Sequence, residues 1–196
     1  MKRKTAAFIA LIAFAILFTS ADTASAAVFP IGEKLDTFKM SAPDGTEHSY
    51  KDLKGKNGTL IVFLSAQCPV VQMYNDRINE IAEAYKAKGI SFVGIYSNHT
   101  ESLDWVKSHS AENYKFPVLI DKNNVFADKL GATRTPEVFY FDENDVHAYH
   151  GAIDNDRSGD NISKTFLKTA FDEKLAGKSI SENDTNAFGC SIKRVK

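Results

Sequence analysis

Two cysteines, Cys68 and Cys190, are the residues of this sequence best suited to redox or nucleophilic chemistry. A cysteine thiolate is the nucleophile in disulfide exchange, and it also binds soft metals such as copper. Cys68 directly precedes Pro69, a residue well tolerated at the first position of a helix. Such a helix N-terminus stabilises an anion, so we expect the pKa of the Cys68 thiol to lie below its usual value of about 8.5. The alternative is that Cys68 is a small buried apolar residue.

The segments on either side of Cys68 predict a βαβ unit. Residues 59–64 form a continuous apolar run, which is typical of a strand buried on both faces. From Pro69 to Gly89 apolar residues recur every three or four positions, which predicts a helix, and residues 90–96 form a second apolar run. Two strands joined by a helix are expected to run parallel. Cys68 is therefore expected at the end of a central strand.

The rest of the chain predicts further elements around the same sheet. We expect helices over 101–109, 125–130 and 161–175, the first of them capped by Thr100 and with Trp105 in the core. Extended segments are expected over 115–120, 137–141 and 146–150. From about residue 177 we expect a tail without regular structure. This order predicts a single α/β domain over residues 27–196, with a central mixed β-sheet flanked by helices.

The N-terminal sequence predicts a signal peptide over residues 1–26. It has a basic start, an apolar run from Ala6 to Phe18 and small residues at 24–26. Because the apolar run is shorter than the about 20 residues of a spanning helix, we expect an exported protein, periplasmic or extracellular, without stable membrane insertion after cleavage. The formal net charge is −1 and the basic residues are scattered, which argues against nucleic acid as a partner.

Two motifs together give the chain a family resemblance. The sequences FLSAQCPVV and GATRTPEVFYFD resemble the thioredoxin-like superfamily over about residues 30–175. The segment FGCSIK around Cys190 is similar to the end of secreted bacterial redoxins of the alkyl hydroperoxide reductase and thiol-specific antioxidant type. The resemblance implies a thioredoxin-like fold in which a cis-proline loop at Pro136 lies beside Cys68, and in which Thr135 and Pro136 bind the backbone of a partner. It implies no organic cofactor.

The chain departs from the best-known motifs of these relatives. Thioredoxin-type reductases carry a second cysteine three residues after the first, where this chain has Val71. Peroxiredoxins carry proline seven and threonine or serine three residues before their cysteine, where this chain has Ile61 and Ser65. Arg134 falls near the position of an activating arginine in peroxiredoxins. Ser65 and Arg134 are therefore candidate activating residues, and a peroxiredoxin-like thiol peroxidase is an alternative function.

Cys190 is the other thiol of the chain and the candidate resolving cysteine. The segment from Gly177 to Cys190 spans up to about 45 Å when extended, so it can reach the site. We expect Cys68 to attack a protein or small-molecule disulfide, or a peroxide, and a Cys68–Cys190 disulfide to form that an unidentified thiol reductant reopens. A permanent disulfide that only stabilises the fold, and two unpaired thiols, are the alternatives.

Two further classes of function stay open from the sequence. A copper-binding or copper-delivery protein would use Cys68, Cys190 and His99, which follows the second apolar run. His147 and His150 are three apart on a predicted strand, so we expect them on opposite faces and not at a shared metal. The other class is a non-catalytic binding module that has the thioredoxin-like fold. The main hypothesis, a thiol–disulfide oxidoreductase, requires no metal.

Overall fold

The computed structural model describes residues 27–195 and contains nine strands and five α-helices there. The strands are β1 (Lys39–Ser41), β2 (Glu47–Ser49), β3 (Thr59–Leu64), β4 (Ser91–Tyr96), β5 (Val118–Ile120), β6 (Arg134–Thr135), β7 (Glu137–Phe141), β8 (His147–Gly151) and β9 (Cys190–Ser191). The helices are α1 (Tyr50–Leu53), α2 (Pro69–Lys86), α3 (Leu103–Asn113), α4 (Val125–Leu130) and α5 (Phe166–Leu175). The predicted signal peptide over residues 1–26 lies outside the described residues. Within the described part, none of the helices has the length and apolar character needed to cross a membrane.

Seven strands form one mixed sheet with β3 in its interior. The strand order is β2-β1-β5-β4-β3-β7-β8. β3 pairs in parallel with β4, as the βαβ prediction requires, and antiparallel with β7. All residues of β3 are buried. This burial explains the continuous apolar run, because the strand has neighbours along both edges and packed layers on both faces.

Helices cover both faces of the sheet. Leu60 and Val62 belong to an apolar cluster that includes buried residues of α2, α3 and α5. Ile61 and Phe63 belong to a second cluster that includes residues of α1 and α4. Since alternate residues of a strand point to opposite faces, one apolar run contributes to both cores. The expected α/β class, with a central mixed sheet flanked by helices, is confirmed.

Helix α3 begins later than the sequence predicts, and its tryptophan is exposed. The N-cap is Ser102 and not Thr100, because Ser102 Oγ accepts a hydrogen bond from Trp105 N at 3.2 Å. With the helix in this phase Val106 takes the buried position and Trp105 is 49% exposed. The predictions of Thr100 as the cap and of Trp105 as a core residue were therefore wrong.

Helix α5 is shorter than predicted because a polar loop precedes it. The helix starts at Phe166 and not at Asn161. Asn155 Oδ1 accepts hydrogen bonds from Ser163 N at 3.0 Å and from Lys164 N at 2.9 Å. Such side-chain bonds compete with the backbone bonds of a helix, so these residues stay in the loop.

A β-bulge in β8 brings two histidines to the same side of the sheet. Phe139 lies opposite His150 and Phe141 lies opposite His147, with a register shift between these pairs. The extra residue in β8 changes the alternation of side chains. The ring centroids of His147 and His150 are consequently 6.3 Å apart. The expectation that these histidines point to opposite faces was wrong.

Candidate active site

Cys68 lies where the central strand β3 meets helix α2. It is the N-cap of the helix, with an extended backbone (φ −84°, ψ 114°), and Pro69 occupies the first helical turn. The N–H groups of a first helical turn have no partner inside the helix, and proline removes one of them. The backbone N–H groups of Val70 and Val71 therefore point toward the Cys68 end of the helix. A thiolate formed at this position faces the positive end of an 18-residue helix dipole.

The loop between β6 and β7 lies against Cys68. The Thr135–Pro136 peptide bond is cis. Cys68 Sγ is 3.3 Å from the carbonyl oxygen of Thr135, and the two residues are 2% and 1% exposed. The hydroxyl oxygen of Thr135 is buried and has no hydrogen-bond partner among the described residues. The structure thus brings Cys68 together with the proline loop that the family resemblance implies.

Cys190 reaches Cys68 from the end of the chain and forms a disulfide with it. The Cα atoms of the two cysteines are 5.9 Å apart, although 122 positions separate them in the sequence. Cys190 and Ser191 form β9, which pairs antiparallel with β6 so that Cys190 lies opposite Thr135 and Ser191 opposite Arg134. The tail that the sequence predicts as irregular therefore contains a short strand at the site.

Residues 183–195, here called the C-terminal strap, cross the site. The backbone N–H of Ile192 donates to the Thr133 carbonyl at 3.0 Å, and the Lys193 carbonyl accepts from His99 N at 2.8 Å. The Ile192 side chain is 7% exposed and packs into the apolar cluster of α1 and α4. Hydrogen bonds to loops distant in the sequence hold the strap in place. For that reason no periodic pattern in its own sequence predicts its structure.

A buried carboxylate shapes the proline loop and links it to the strap. Glu137 Oε2 accepts hydrogen bonds from Thr133 N and Arg134 N, both at 2.7 Å. Glu137 Oε1 is 2.8 Å from His150 Nε2, and His150 Nδ1 is 2.7 Å from Asp184 Oδ1 of the strap. Burial by itself lowers the pKa of His150, but the hydrogen bonds with Glu137 and Asp184 outweigh it and raise the pKa above 6.5. A protonated His150 therefore ties the strap to the loop.

The two candidate activating residues, Ser65 and Arg134, have partners other than the cysteines. Ser65 Oγ donates to Glu101 Oε1 at 2.5 Å, and Gln67 N donates to the same oxygen at 3.1 Å. The Arg134 side chain is exposed, and its Nη1 donates to Ser191 Oγ at 3.2 Å. The activating role of both residues stays a prediction.

Two carboxylates near the site, Glu101 and Glu137, are not among the residues predicted from the sequence. Glu137 carried a signal, because it follows Pro136 directly in the otherwise apolar strand EVFYF, and a buried charge needs partners. Glu101 lies between β4 and α3 and carried no such signal. Its second oxygen, Oε2, is buried without a hydrogen-bond partner among the described residues.

His99, the candidate copper ligand, is held by its backbone N–H, which donates to Lys193 of the strap. Both cysteine sulfurs are engaged in the disulfide. Among residues 27–195, no group of three or more His, Cys, Asp or Glu side chains is arranged to hold a metal ion. The copper set of Cys68, Cys190 and His99 requires reduced thiols and stays a prediction.

Comparison with known sequences gives a family and a set of relatives. The profile of the Redoxin family matches residues 30–165. The thiol-disulfide oxidoreductase ResA of Bacillus cereus is 29% identical over 115 residues, which is 58% of this chain. The match spans 64% of the length of that relative, so more than a third of it has no counterpart in the alignment.

Comparison with solved structures gives the fold. An uncharacterized conserved protein of Geobacillus kaustophilus is 30% identical, with a TM-score of 0.79 over 86% of this chain and 94% of that one. The thioredoxin domain of a thiol-disulfide oxidoreductase from Bacteroides vulgatus matches with a TM-score of 0.54 at 17% identity, over 62% of this chain and 88% of that one. At that identity the likeness concerns the fold alone, and it confirms the thioredoxin-like fold.

Proposed function

The chain belongs to the Redoxin family, and we propose that it is an exported thiol–disulfide oxidoreductase in which Cys68 is the nucleophile and Cys190 the resolving cysteine. The observation that carries the proposal is the disulfide between the N-cap of α2 and a strand paired with the cis-proline loop. A disulfide that only stabilises a fold needs neither feature. The name of the Bacillus relative supports the activity, and the signal-like sequence of residues 1–26 supports export.

The position of Cys68 suits it to both halves of a redox cycle. In the reduced protein the N-terminus of α2 favours its thiolate, which is the attacking species. In the oxidised protein Cys190 is partly exposed whereas Cys68 is buried, so an external thiolate meets Cys190 first. Attack there releases Cys68 as a stabilised thiolate, and a leaving thiol of low pKa leaves faster.

The cycle balances with two thiols and one partner disulfide. The Cys68 thiolate attacks one sulfur of the partner disulfide, and the other sulfur leaves as a thiolate that takes up a proton. The Cys190 thiolate then attacks Cys68 Sγ, and the first partner sulfur leaves in the same way. The partner has gained two electrons and two protons, and Cys68 and Cys190 are joined. An external dithiol restores the two thiols and is itself oxidised.

The test is a redox titration followed by two variants. Wild-type protein is equilibrated in graded glutathione buffers, alkylated and weighed by mass spectrometry. We expect the Cys68–Cys190 disulfide to open at a potential above about −300 mV, the range of labile and catalytic disulfides. A bond that resists reduction below that potential would identify a permanent structural disulfide and contradict the proposal.

The variants Cys68→Ser and Cys190→Ser are matched, because each removes one sulfur of the same bond. Cys68→Ser should abolish the reduction of a model disulfide. The Cys190→Ser protein should react with one partner molecule and then stop, because the partner stays attached to Cys68 as a mixed disulfide. Sustained wild-type turnover by Cys190→Ser would rule out the resolving role. Faster turnover of hydrogen peroxide than of any disulfide would favour the thiol peroxidase, and tight binding of Cu(I) by the reduced protein would favour copper delivery.

A further inference from the structure

The edge of β6 is occupied by the chain itself. β9 pairs antiparallel with β6, with Cys190 opposite Thr135 and Ser191 opposite Arg134. A partner's cysteine must come to the same place, because Cys68 Sγ lies 3.3 Å from the Thr135 carbonyl oxygen. β9 therefore already holds a cysteine where a partner's cysteine has to be held.

We propose that β9 is a built-in substitute for the partner's strand, and that the edge of β6 selects partners in which glycine directly precedes the reactive cysteine. The inference rests on the proposed function and adds a substrate class to it: an extended protein segment with the pattern Gly-Cys-x-aliphatic. Because strap and partner are alternative occupants of one edge, β9 must leave before the partner binds.

The glycine requirement follows from the position of Gly189. Its φ is +153°, and a Cβ built there would overlap the carbonyl oxygen of Thr135 and lie 2.8 Å from the carbonyl carbon. Thr135 has little freedom to move away, since it is 1% exposed and precedes the cis bond to Pro136. Only glycine allows two backbones to approach this closely. Any side chain at this position would push the strand off β6.

The aliphatic requirement follows from Ile192, two residues after the cysteine. Its backbone N–H donates to the Thr133 carbonyl at 3.0 Å, which continues the pairing beyond β9. Its side chain is 7% exposed and packs into the apolar cluster of α1 and α4. Ser191, between these positions, is exposed. A partner that binds in the same register therefore has a free choice of residue there and needs an apolar one at the next position.

Exchange of the two occupants explains how the product leaves. Reduction by an external dithiol removes the covalent bond that holds β9, and the partner's strand pairs with β6. The Cys68 thiolate attacks the partner's cysteine sulfur to form the mixed disulfide, and the other sulfur of the partner's disulfide leaves as a thiolate that takes up a proton. The Cys190 thiolate then attacks Cys68 Sγ, the Cys68–Cys190 bond forms, and the partner's sulfur leaves as a thiolate that takes up a proton. As Cys190 returns, β9 pairs with β6 again and displaces the partner's strand.

The experiment uses the full chain with Cys190→Ser and two synthetic peptides, NAFGCSIK and NAFACSIK. Each peptide carries its cysteine as a mixed disulfide with thionitrobenzoate, so attack by Cys68 releases a coloured thiolate. We expect the glycine peptide to react about tenfold faster or more, which corresponds to about 1.4 kcal/mol and to the lower end of the cost of an added methyl group in a packed site. Dithiobis(nitrobenzoate), a disulfide without a peptide, reports the reactivity of Cys68 itself.

The outcomes separate the inference from the proposed function. Equal rates for the two peptides, with rapid reaction of dithiobis(nitrobenzoate), would overturn the inference and leave the proposed function standing. No reaction of Cys68 with any of the three disulfides would overturn the proposed function, and the inference with it.

A second variant tests the competition directly. Gly189→Ala in the Cys190→Ser background should weaken the pairing of the strap and speed up the reaction with the glycine peptide, while the rate with dithiobis(nitrobenzoate) changes less. An unchanged or slower reaction with the glycine peptide would show that the strap does not compete for the edge, and would overturn the inference. Circular dichroism and urea unfolding are the controls that test whether the variant remains folded.

Discussion

Replacing Gly189 by alanine in the wild-type protein should make the Cys68–Cys190 disulfide easier to reduce. In the oxidised protein the covalent bond holds residue 189 against the Thr135 carbonyl, so an added Cβ cannot avoid the overlap. In the reduced protein the strap is free to move away and the overlap is relieved. The substitution therefore raises the free energy of the oxidised state more than that of the reduced state.

The size of the effect follows from the cost of the overlap. An extra methyl group forced into a well-packed site costs about 1 to 3 kcal/mol. For a two-electron couple, about 1.4 kcal/mol corresponds to about 30 mV. The reduction potential of the disulfide should thus become less negative by about 20 to 65 mV in the Gly189→Ala protein.

The assay is equilibration in graded glutathione buffers, with the oxidised fraction measured by alkylation and mass spectrometry. Ser191→Ala is the matched control, because Ser191 lies in the same strand but is exposed and contacts the exposed Arg134 side chain. We expect its potential to shift by less than about 10 mV, since exposed substitutions cost within about 0.5 kcal/mol. An unchanged or more negative potential for Gly189→Ala, beside a normal control, would contradict this prediction and show that the strap stays paired after reduction.

Three further predictions concern the network around the site. Glu137→Gln should lower the free energy of unfolding by about 2 to 4 kcal/mol in urea titrations, because it leaves buried partners without their carboxylate. His150→Gln should lower the free energy of unfolding most at low pH. Because the pKa of His150 is raised in the folded state, the stabilisation by its protonated imidazole is complete below pH 6.5 and is lost as the pH rises through the pKa of the folded state. Urea titrations at about pH 6 and about pH 9 should therefore show a larger difference from wild type at the lower pH. Cys190→Ser should lower the unfolding free energy by up to about 5 kcal/mol relative to the oxidised protein, because the disulfide closes a span of 122 positions.

Each of these predictions has an outcome that contradicts it. A loss below about 1 kcal/mol for Glu137→Gln would mean that the loop amides find other acceptors. A difference between His150→Gln and wild type that is constant or grows with pH would remove the role of the protonated imidazole. For Cys190→Ser, the reduced wild-type protein is the control. Equal stability of the oxidised and reduced proteins would show that the bond adds nothing to the fold.

The central part of the fold and the position of Cys68 within it could be predicted because their signals are local. The apolar run of β3, the helical period after Pro69 and the position of Cys68 between them lie within about thirty residues, and the structure keeps that order. A strand buried on both faces has a sequence pattern that few other elements share. Pro136 at the entrance of an apolar strand was a local signal too, whereas the position of its loop beside Cys68 came from the family resemblance.

The strap and the network behind it could not be predicted because their signals are distant in the sequence. β9 has two residues, and its register depends on where β6 lies. The contact of His150 with Asp184 joins residues 34 positions apart, and the bulge in β8 that puts His147 on the same side as His150 has no signal in the strand's pattern. Asn155 and Ser102 show the same limit at smaller scale, since the hydrogen bonds accepted by one side chain set the start of α5 and of α3 later than predicted. Such bonds depend on geometry that the amino-acid pattern leaves open.

The disulfide also changes the connectivity of the molecule. From Cys68 to Cys190 the oxidised chain is a covalent ring that contains α2 to α5 and β4 to β8, while the segment with β1 to β3 and α1 and the residues after Cys190 lie outside the ring. A single cut in the exposed loop before α5 would open this ring and leave one molecule. After reduction the same cut would leave two separate chains that only non-covalent packing holds together. The redox state of two sulfurs thus decides whether a nick in a distant surface loop divides the protein.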